Sequence, residues 1–168
     1  PQVGYILRRA EIASTELHSV PLDSCVADTQ GAIGYQLQKA LDNEFKALKI
    51  KKNVATVVTQ VEVSDSDPSF KKPTKPIGSF MSEEVAKEHE RKDGWSVVED
   101  AGRGWRRVVA SPKPRSIIEL ETIKCLIDNG IIVIAAGGGG IPVAKDKDGM
   151  LLGREAVIDK DLAAAMLA

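Results

Sequence analysis

The stretch that most constrains the fold is residues 131–168. Ile131 to Ala136 is an unbroken apolar run, and Gly137 to Gly140 follow it directly. The run has strand length and a β-branched composition. Because it does not alternate, it predicts a strand buried on both faces, as in a parallel sheet. Successive glycines cost conformational entropy, so they call for a close backbone approach. A concave set of N–H groups around an anion would supply one; a loose loop is the alternative. Past Ile141-Pro142-Val143 and a polar turn comes Val157-Ile158-Asp159-Lys160-Asp161, and Leu162 to Ala168 is helical in pattern. A lysine and two carboxylates therefore sit at a helix start, where polar caps and anions are favoured.

The 168 residues allow one domain with an inserted subdomain. A charged content of 28% and a net charge of −1 give no global drive toward nucleic acid or an acidic membrane. Cys25 and Cys125 fit no CxxC pattern and are expected to be reduced thiols in a cytoplasmic protein. No apolar run is long enough to span a bilayer, and no signal peptide is visible. The chain opens at Pro1 without a methionine and stops inside a helical pattern, so it is expected to be part of a longer protein.

Val3 to Leu17 has helical spacing, ended by Pro21. Gln30 to Leu48 is the strongest helix, with Ile33, Leu37, Leu41, Phe45 and Leu48 on the face expected to pack on the sheet. Val54 to Val63 is predicted as one strand. Residues 64–107 differ in composition and are expected to form an insertion projecting from the main sheet. Within it, Asp65 to Phe80 is rich in proline and lysine and predicts an exposed loop. Ser82 caps a short charged helix to Asp93. Trp95–Glu99 and Trp105–Val109 are predicted as two strands around a turn at Asp100–Gly104, with Trp95 and Trp105 forming a small core. Ser116 to Asn129 is predicted as a helix with a Ser116/Glu119 capping box and Gly130 as its stop. Alternating helix and strand predicts α/β with a mostly parallel sheet.

No GxxxxGK[ST], GxGxxG or GxSxG motif is present. His18 and His89 lie in charged helical contexts and are expected at the surface, so no metal cluster follows. Asp146 and Asp148 start like a calcium loop, but the glycine comes early and the terminal glutamate is absent. What remains is anion chemistry without acid–base residues: the tetraglycine, Lys160 between Asp159 and Asp161, Lys75, Arg103, Arg106 and Arg107. Phosphoryl transfer suits this set, since it rests on positioning and charge stabilisation. An anionic nucleophile would need no general base, in keeping with the scarcity of histidine.

Long strings of the chain resemble carbamate kinases, of the amino acid kinase superfamily. They are Pro1-Gln2-Val3-Gly4, Pro21-Leu22-Asp23, Gln30-Gly31 with Ile33-Gly34-Tyr35, Val57 to Val61, and Lys72 to Gly78. Glu99 to Val109, Ser111 to Pro114, Gly137 to Pro142 and Glu155 to Ala164 continue the match in the same order. The resemblance covers essentially all of this chain but only about half of a usual family member. It implies a three-layer αβα sandwich with a mostly parallel open sheet plus a small protruding α+β subdomain. Residues 1–63 and 108–168 would form the core and 64–107 a lid. It implies reversible transfer between ATP and carbamate, with ATP/ADP and Mg2+, in arginine catabolism, by a cytoplasmic homodimer.

The resemblance also implies roles. Lys160 would sit on the transferred phosphoryl group, Asp161 would orient the lysines, and Lys75 would reach in from the lid. Gly137, Gly138, Gly139 and Gly140 would border the substrate with N–H groups, with Pro1 and Gln2 beside it. Asp159, Arg103 and Arg106 would be structural, the arginines pairing with acids of the lid; no residue is assigned to metal. Two departures change the family's pattern: Asp28-Thr29 stands in place of Met-Ser, and Ala110 in place of a proline. The family's opening glycine–asparagine strand and nucleotide-binding half are not in this chain. Two rival readings remain: a polyanion-binding module using Lys71, Lys72, Lys75, Arg103, Arg106 and Arg107, and a truncated piece that only dimerises.

Overall fold

A computed structural model describes residues 2–13, 16 and 20–168. Its longest element, helix α2 (Leu22–Ala47), begins eight residues before the helix expected at Gln30. The added turns hold Ser24, Asp28 and Thr29, poor helix formers, yet Leu22, Cys25, Val26 and Thr29 recur at helical spacing and are all buried. Tertiary burial here overrides weak propensity. Leu22 and Cys25 pack with Leu7 of α1 (Gln2–Ile12). Val26 packs with Ile141 and Val143 of a later strand. Farther along α2 the expected stripe is not covered: Ile33, Leu37 and Leu48 are exposed. There Gly34 meets Thr56, and Gln38 Oε1 accepts from the Thr56 N–H at 3.0 Å.

The strand expected over Val54–Val63 is two strands, β1 (Val54–Thr56) and β2 (Gln60–Glu62). The next elements are β3 (Lys75–Met81), α3 (Glu83–Asp93), β4 (Ser96–Glu99) and β5 (Trp105–Val109). After them come β6 (Ser116–Ile117), α4 (Leu120–Asp128), β7 (Ile132–Ile134), β8 (Ile141–Lys145), β9 (Leu151–Gly153) and α5 (Lys160–Leu167). β1 pairs parallel with β7, and β2 pairs parallel with β8. β6 and β9 flank the second pair antiparallel, in the order β6-β2-β8-β9. The expected α/β class with parallel core strands is borne out. Val61 is opposite Pro142, so Val61 and Ile141 point to opposite faces. Val61, Val63 and Ile117 pack with Ile123 of α4 and Ala163 of α5, while Ile141 and Val143 pack on α2. Helices thus cover both faces, giving three layers.

Several local expectations need correction. β7 is half-buried rather than buried on both faces, because β1 is its one partner among the described residues. The polar turn after Val143 is a hairpin of β8 and β9. The Ser116/Glu119 capping box does not form: the Ser116 hydroxyl donates to Glu62, and Glu119 accepts from Gln60. The chain is extended at Ser116–Ile117, turns over residues 118–119 and enters α4 at Leu120. The lysine- and proline-rich loop contains β3, an edge strand of the antiparallel order β3-β5-β4, where a proline such as Pro76 is tolerated. That sheet does not stand apart, since Ile77 and Val109 are buried against Leu7, Leu22 and Cys25. His89 is half-buried, stacked on Trp95 at 4.1 Å between centroids. His18 and the expected helix end at Leu17 lie outside the described residues. No described helix is long and apolar enough to cross a membrane.

Glycines in the chain after β7 divide sharply by surroundings. A Cβ on Gly140, at φ +90°, would collide with Val61, whereas a Cβ on Gly138 would meet nothing within 4 Å. Gly140→Ala should lower stability by about 2–4 kcal/mol in a urea melt, combining backbone strain and overpacking. Gly138→Ala should stay within about 0.5 kcal/mol of the parent, as surface changes do. Equal midpoints for the two variants would refute this placement of the turn.

A candidate anion-binding cleft

The site begins at Thr59, which has no exposed surface. Its N–H donates to Gln30 Oε1 at 2.8 Å, and Gln30 Nε2 donates back to its carbonyl at 3.1 Å. The same carbonyl accepts from the Ile141 N–H at 2.9 Å. The Thr59 hydroxyl accepts from the Ala136 N–H at 2.8 Å. Both ends of the tetraglycine turn are therefore fastened to one residue. The strand breaks between β1 and β2 where the Thr59 N–H goes to the Gln30 side chain instead of a neighbouring strand. Sequence reading missed Gln30 and Thr59. The available signal was a lone amide on the buried stripe of α2.

Between these anchors the backbone coils tightly. Ala136, Gly137, Gly139 and Gly140 have φ of +60°, +49°, +139° and +90°. The N–H groups of Gly137, Gly139 and Gly140 are consumed inside the turn, by Ala135 and Ala136 carbonyls at 2.6 to 2.8 Å. Gly139 and Gly140 are buried, and Gly139 lies against the Ile158 carbonyl. The Gly138 N–H has no acceptor among the described residues. One amide of the four, rather than all, is thus left for a ligand.

Contact with Ile158 brings the turn beside the start of α5. Asp159 is the N-cap, its Oδ1 accepting from the Asp161 N–H at 3.0 Å. Its Oδ2 accepts from Lys75 Nζ at 3.0 Å, tying β3 to α5. The Lys75 ammonium, and then the Asp161 N–H, hold the Asp159 carboxyl below its ordinary range. Lys160 is exposed and donates to Asp161 Oδ1 at 2.6 Å, which pushes its ammonium pKa up. Lys160 is therefore a firmly protonated cation.

A cleft of about 470 Å³ gathers these groups, with Gln2, Lys75, Arg106, Gly138, Ile158 and Lys160 among its walls. Asp161 stands outside the wall, paired to Lys160. Gly137 lines a neighbouring apolar groove between α2 and β7. Arg103 and Arg106 both donate to Asp100, at 2.8 and 3.3 Å. Pro1 lies outside the described residues. No group of three His, Cys, Asp or Glu suited to a metal occurs among the described residues. The arrangement can bind an anion between ammonium groups and one free amide, with no side chain placed to move a proton.

No protein-family model matches the chain. It is 55% identical over 171 residues to the carbamate kinase-like protein YahI of Escherichia coli, covering 100% of this chain and 54% of that protein. It is 52% identical over 171 residues to the carbamate kinase of Pyrococcus horikoshii, with the same 100% and 54% coverage. The structure of carbamate kinase from Giardia lamblia bound to AMP-PNP matches with a TM-score of 0.88 at 45% identity, over 100% of this chain and 53% of that one. The chain spans about half the length of the curated relatives it matches. Over that half it is a homologue of carbamate kinases with their fold, as the resemblance implied.

Two outcomes test the geometry. Thr59→Val keeps the shape but leaves the Ala136 N–H buried without an acceptor, so it should cost about 1–3 kcal/mol in chemical denaturation. Unchanged stability would disconnect Thr59 from the turn. Asp159→Asn keeps the cap and removes the ion pair, which is about one-third exposed on each side. Because the Asp159 pKa is depressed, its stabilisation is present above the unfolded value near about 4 and is lost as pH falls through the folded one. The parent should exceed Asp159→Asn by up to about 1 kcal/mol at neutral pH, and the gap should close in acid. A gap that widens toward low pH would contradict the pairing.

Proposed function

We propose that this chain supplies the carbamate and phosphoryl side of a carbamate kinase, in a protein that carries both halves of its relatives' length. The carrying observation is the cleft in which Lys75, Lys160 and Arg106 meet the free amide of Gly138. In the reaction, a carbamate oxygen forms a bond to the γ-phosphorus of ATP while the bond to the ADP oxygen breaks. The reverse passes the phosphoryl group of carbamoyl phosphate to ADP. Carbamate is already an anion, so no base has to take a proton, which fits a cleft without histidine.

Lys160, kept charged by Asp161, offsets the charge spread over the phosphoryl oxygens in the transition state. Lys75 reaches from β3, so residues 64–107 act as a lid, and Asp159 holds Lys75 in register until substrate arrives. The Gly138 N–H orients an oxygen of the substrate. The described residues form no cage for Mg2+. The ion is accordingly assigned to the nucleotide as its counter-ion, where it neutralises phosphate charge, and no residue here is given to it. The nucleotide assignment is supported by AMP-PNP in the Giardia lamblia relative. Formation of ATP at the end of arginine breakdown, a cytoplasmic location and a homodimer complete the proposal on the strength of the resemblance.

A polyanion-binding surface is disfavoured by the ion pairs. Arg103 and Arg106 face Asp100, Arg107 faces Glu11, and Lys75 faces Asp159. In the full-length protein, Lys160→Ala should lower kcat by about 10²- to 10³-fold, the cost of losing one electrostatic donor to the transition state. Lys75→Ala should lower it less. The assay is ATP formation from ADP and carbamoyl phosphate, with circular dichroism to confirm folding. Parental turnover in Lys160→Ala would remove that residue from the chemistry. Turnover in the full-length parent but none in the 168-residue chain alone would mark this chain as a catalytically incomplete piece, and no turnover in either would favour a purely structural role.

A further inference from the structure

The cleft holds one group that the proposed reaction leaves unused. Arg106 sits on β5, the central strand of the antiparallel sheet, with its side chain 21% exposed. Its Nη1 donates to Asp100 at 3.3 Å and its Nη2 to the Gly78 carbonyl at 3.1 Å. Its Nε–H is buried and has no partner among the described residues. A buried donor without an acceptor is costly, and an arginine kept at that cost in a cleft wall is a candidate for function. Asp100 does not depend on Arg106, because Arg103 donates to it at 2.8 Å. One carboxylate thus serves two guanidinium groups, so their charge is only half offset. Lys75 and Lys160 each have a carboxylate of their own.

The backbone is bent to hold this side chain. The register between β3 and β5 shifts between Ile77 and Met81, and Gly78 stands at φ +72°. Such bulges re-aim side chains and are frequent beside active sites. The bulge puts the Gly78 carbonyl under the guanidinium, and the Phe80 ring lies 5.1 Å from it. A pair with Asp100 alone would need none of this.

We propose that Arg106 is a substrate-contacting residue, whose guanidinium binds the phosphate oxygens of carbamoyl phosphate from the lid side of the cleft. This rests on the carbamate kinase reading. A guanidinium fork can take two phosphate oxygens at once, which neither lysine can do.

The test compares Arg106→Gln, Arg106→Lys and Arg103→Gln in the full-length protein. Inorganic phosphate is titrated by calorimetry, and carbamoyl phosphate and ADP are varied separately in the ATP-forming assay. Arg106→Gln should weaken phosphate binding and raise KM for carbamoyl phosphate by at least about 10-fold, the loss expected for a charge-assisted hydrogen bond. KM for ADP should stay within about twofold, and Arg106→Lys should be intermediate because it keeps the charge without the fork. Arg103→Gln, which removes the other partner of Asp100, should match the parent. Parental phosphate binding and KM in Arg106→Gln would overturn the proposal, as would equal losses in Arg103→Gln. If Arg106→Gln does not fold, parental values in Arg106→Lys overturn it and an intermediate loss upholds it. Phosphate binding that depends on Arg106 in a protein without turnover would sink the carbamate kinase reading and keep the anion site. Turnover untouched by Arg106→Gln would do the opposite, and absence of both in the parent would end both.

Discussion

The reciprocal pair between Gln30 and Thr59 is the constraint on which the site depends. It is buried, and both partners donate and accept in it. Such a pair tolerates no slippage, since any shift leaves two amide groups dry and unmatched. It locks α2 to the junction of β1 and β2. Through the Thr59 hydroxyl and carbonyl it also fixes both ends of the glycine turn. The apolar cores on the two faces supply cohesion; this polar knot supplies position.

A second connection runs through charge. α5 starts where Ile158 touches the turn, and its N-cap carboxylate reaches Lys75 on β3. The sheet of β3, β4 and β5 is held on one side by burial of Ile77 and Val109 and on the other by this exposed ion pair. The first contact is apolar and broad; the second is weak and screened. The sheet is thus anchored firmly along one edge and only weakly along the other.

The legible parts of the chain were those whose local pattern agrees with their surroundings. The run Ile131–Ala136 entering glycines, Asp159 at a helix start, Ser82 as a cap and the strands around Asp100–Gly104 all announce themselves. The placing of Lys75, Lys160 and Gly138 on one cleft wall was approached from residue chemistry and resemblance together. Illegible parts were those where a distant partner decides. Ser116 and Glu119 look like a capping box but spend their side chains on Glu62 and Gln60. Val54 to Val63 looks like one strand until Gln30 interrupts it at Thr59. Pro76 conceals β3, because nothing local says that its strand lies at an edge. The orphaned Nε–H of Arg106 could not be seen at all without its neighbours.

Ala136 carries a side chain at φ +60°, in a conformation that glycine would adopt more comfortably. The hydroxyl of Thr59 clamps its N–H there. The amide at Gly138 is consequently aimed before any guest arrives, and little freedom is left in the turn for that guest to remove. On the proposed reading, a phosphate would meet an amide already set by folding, so the ordering loss that weakens capture by floppy loops would fall on folding instead of on recognition.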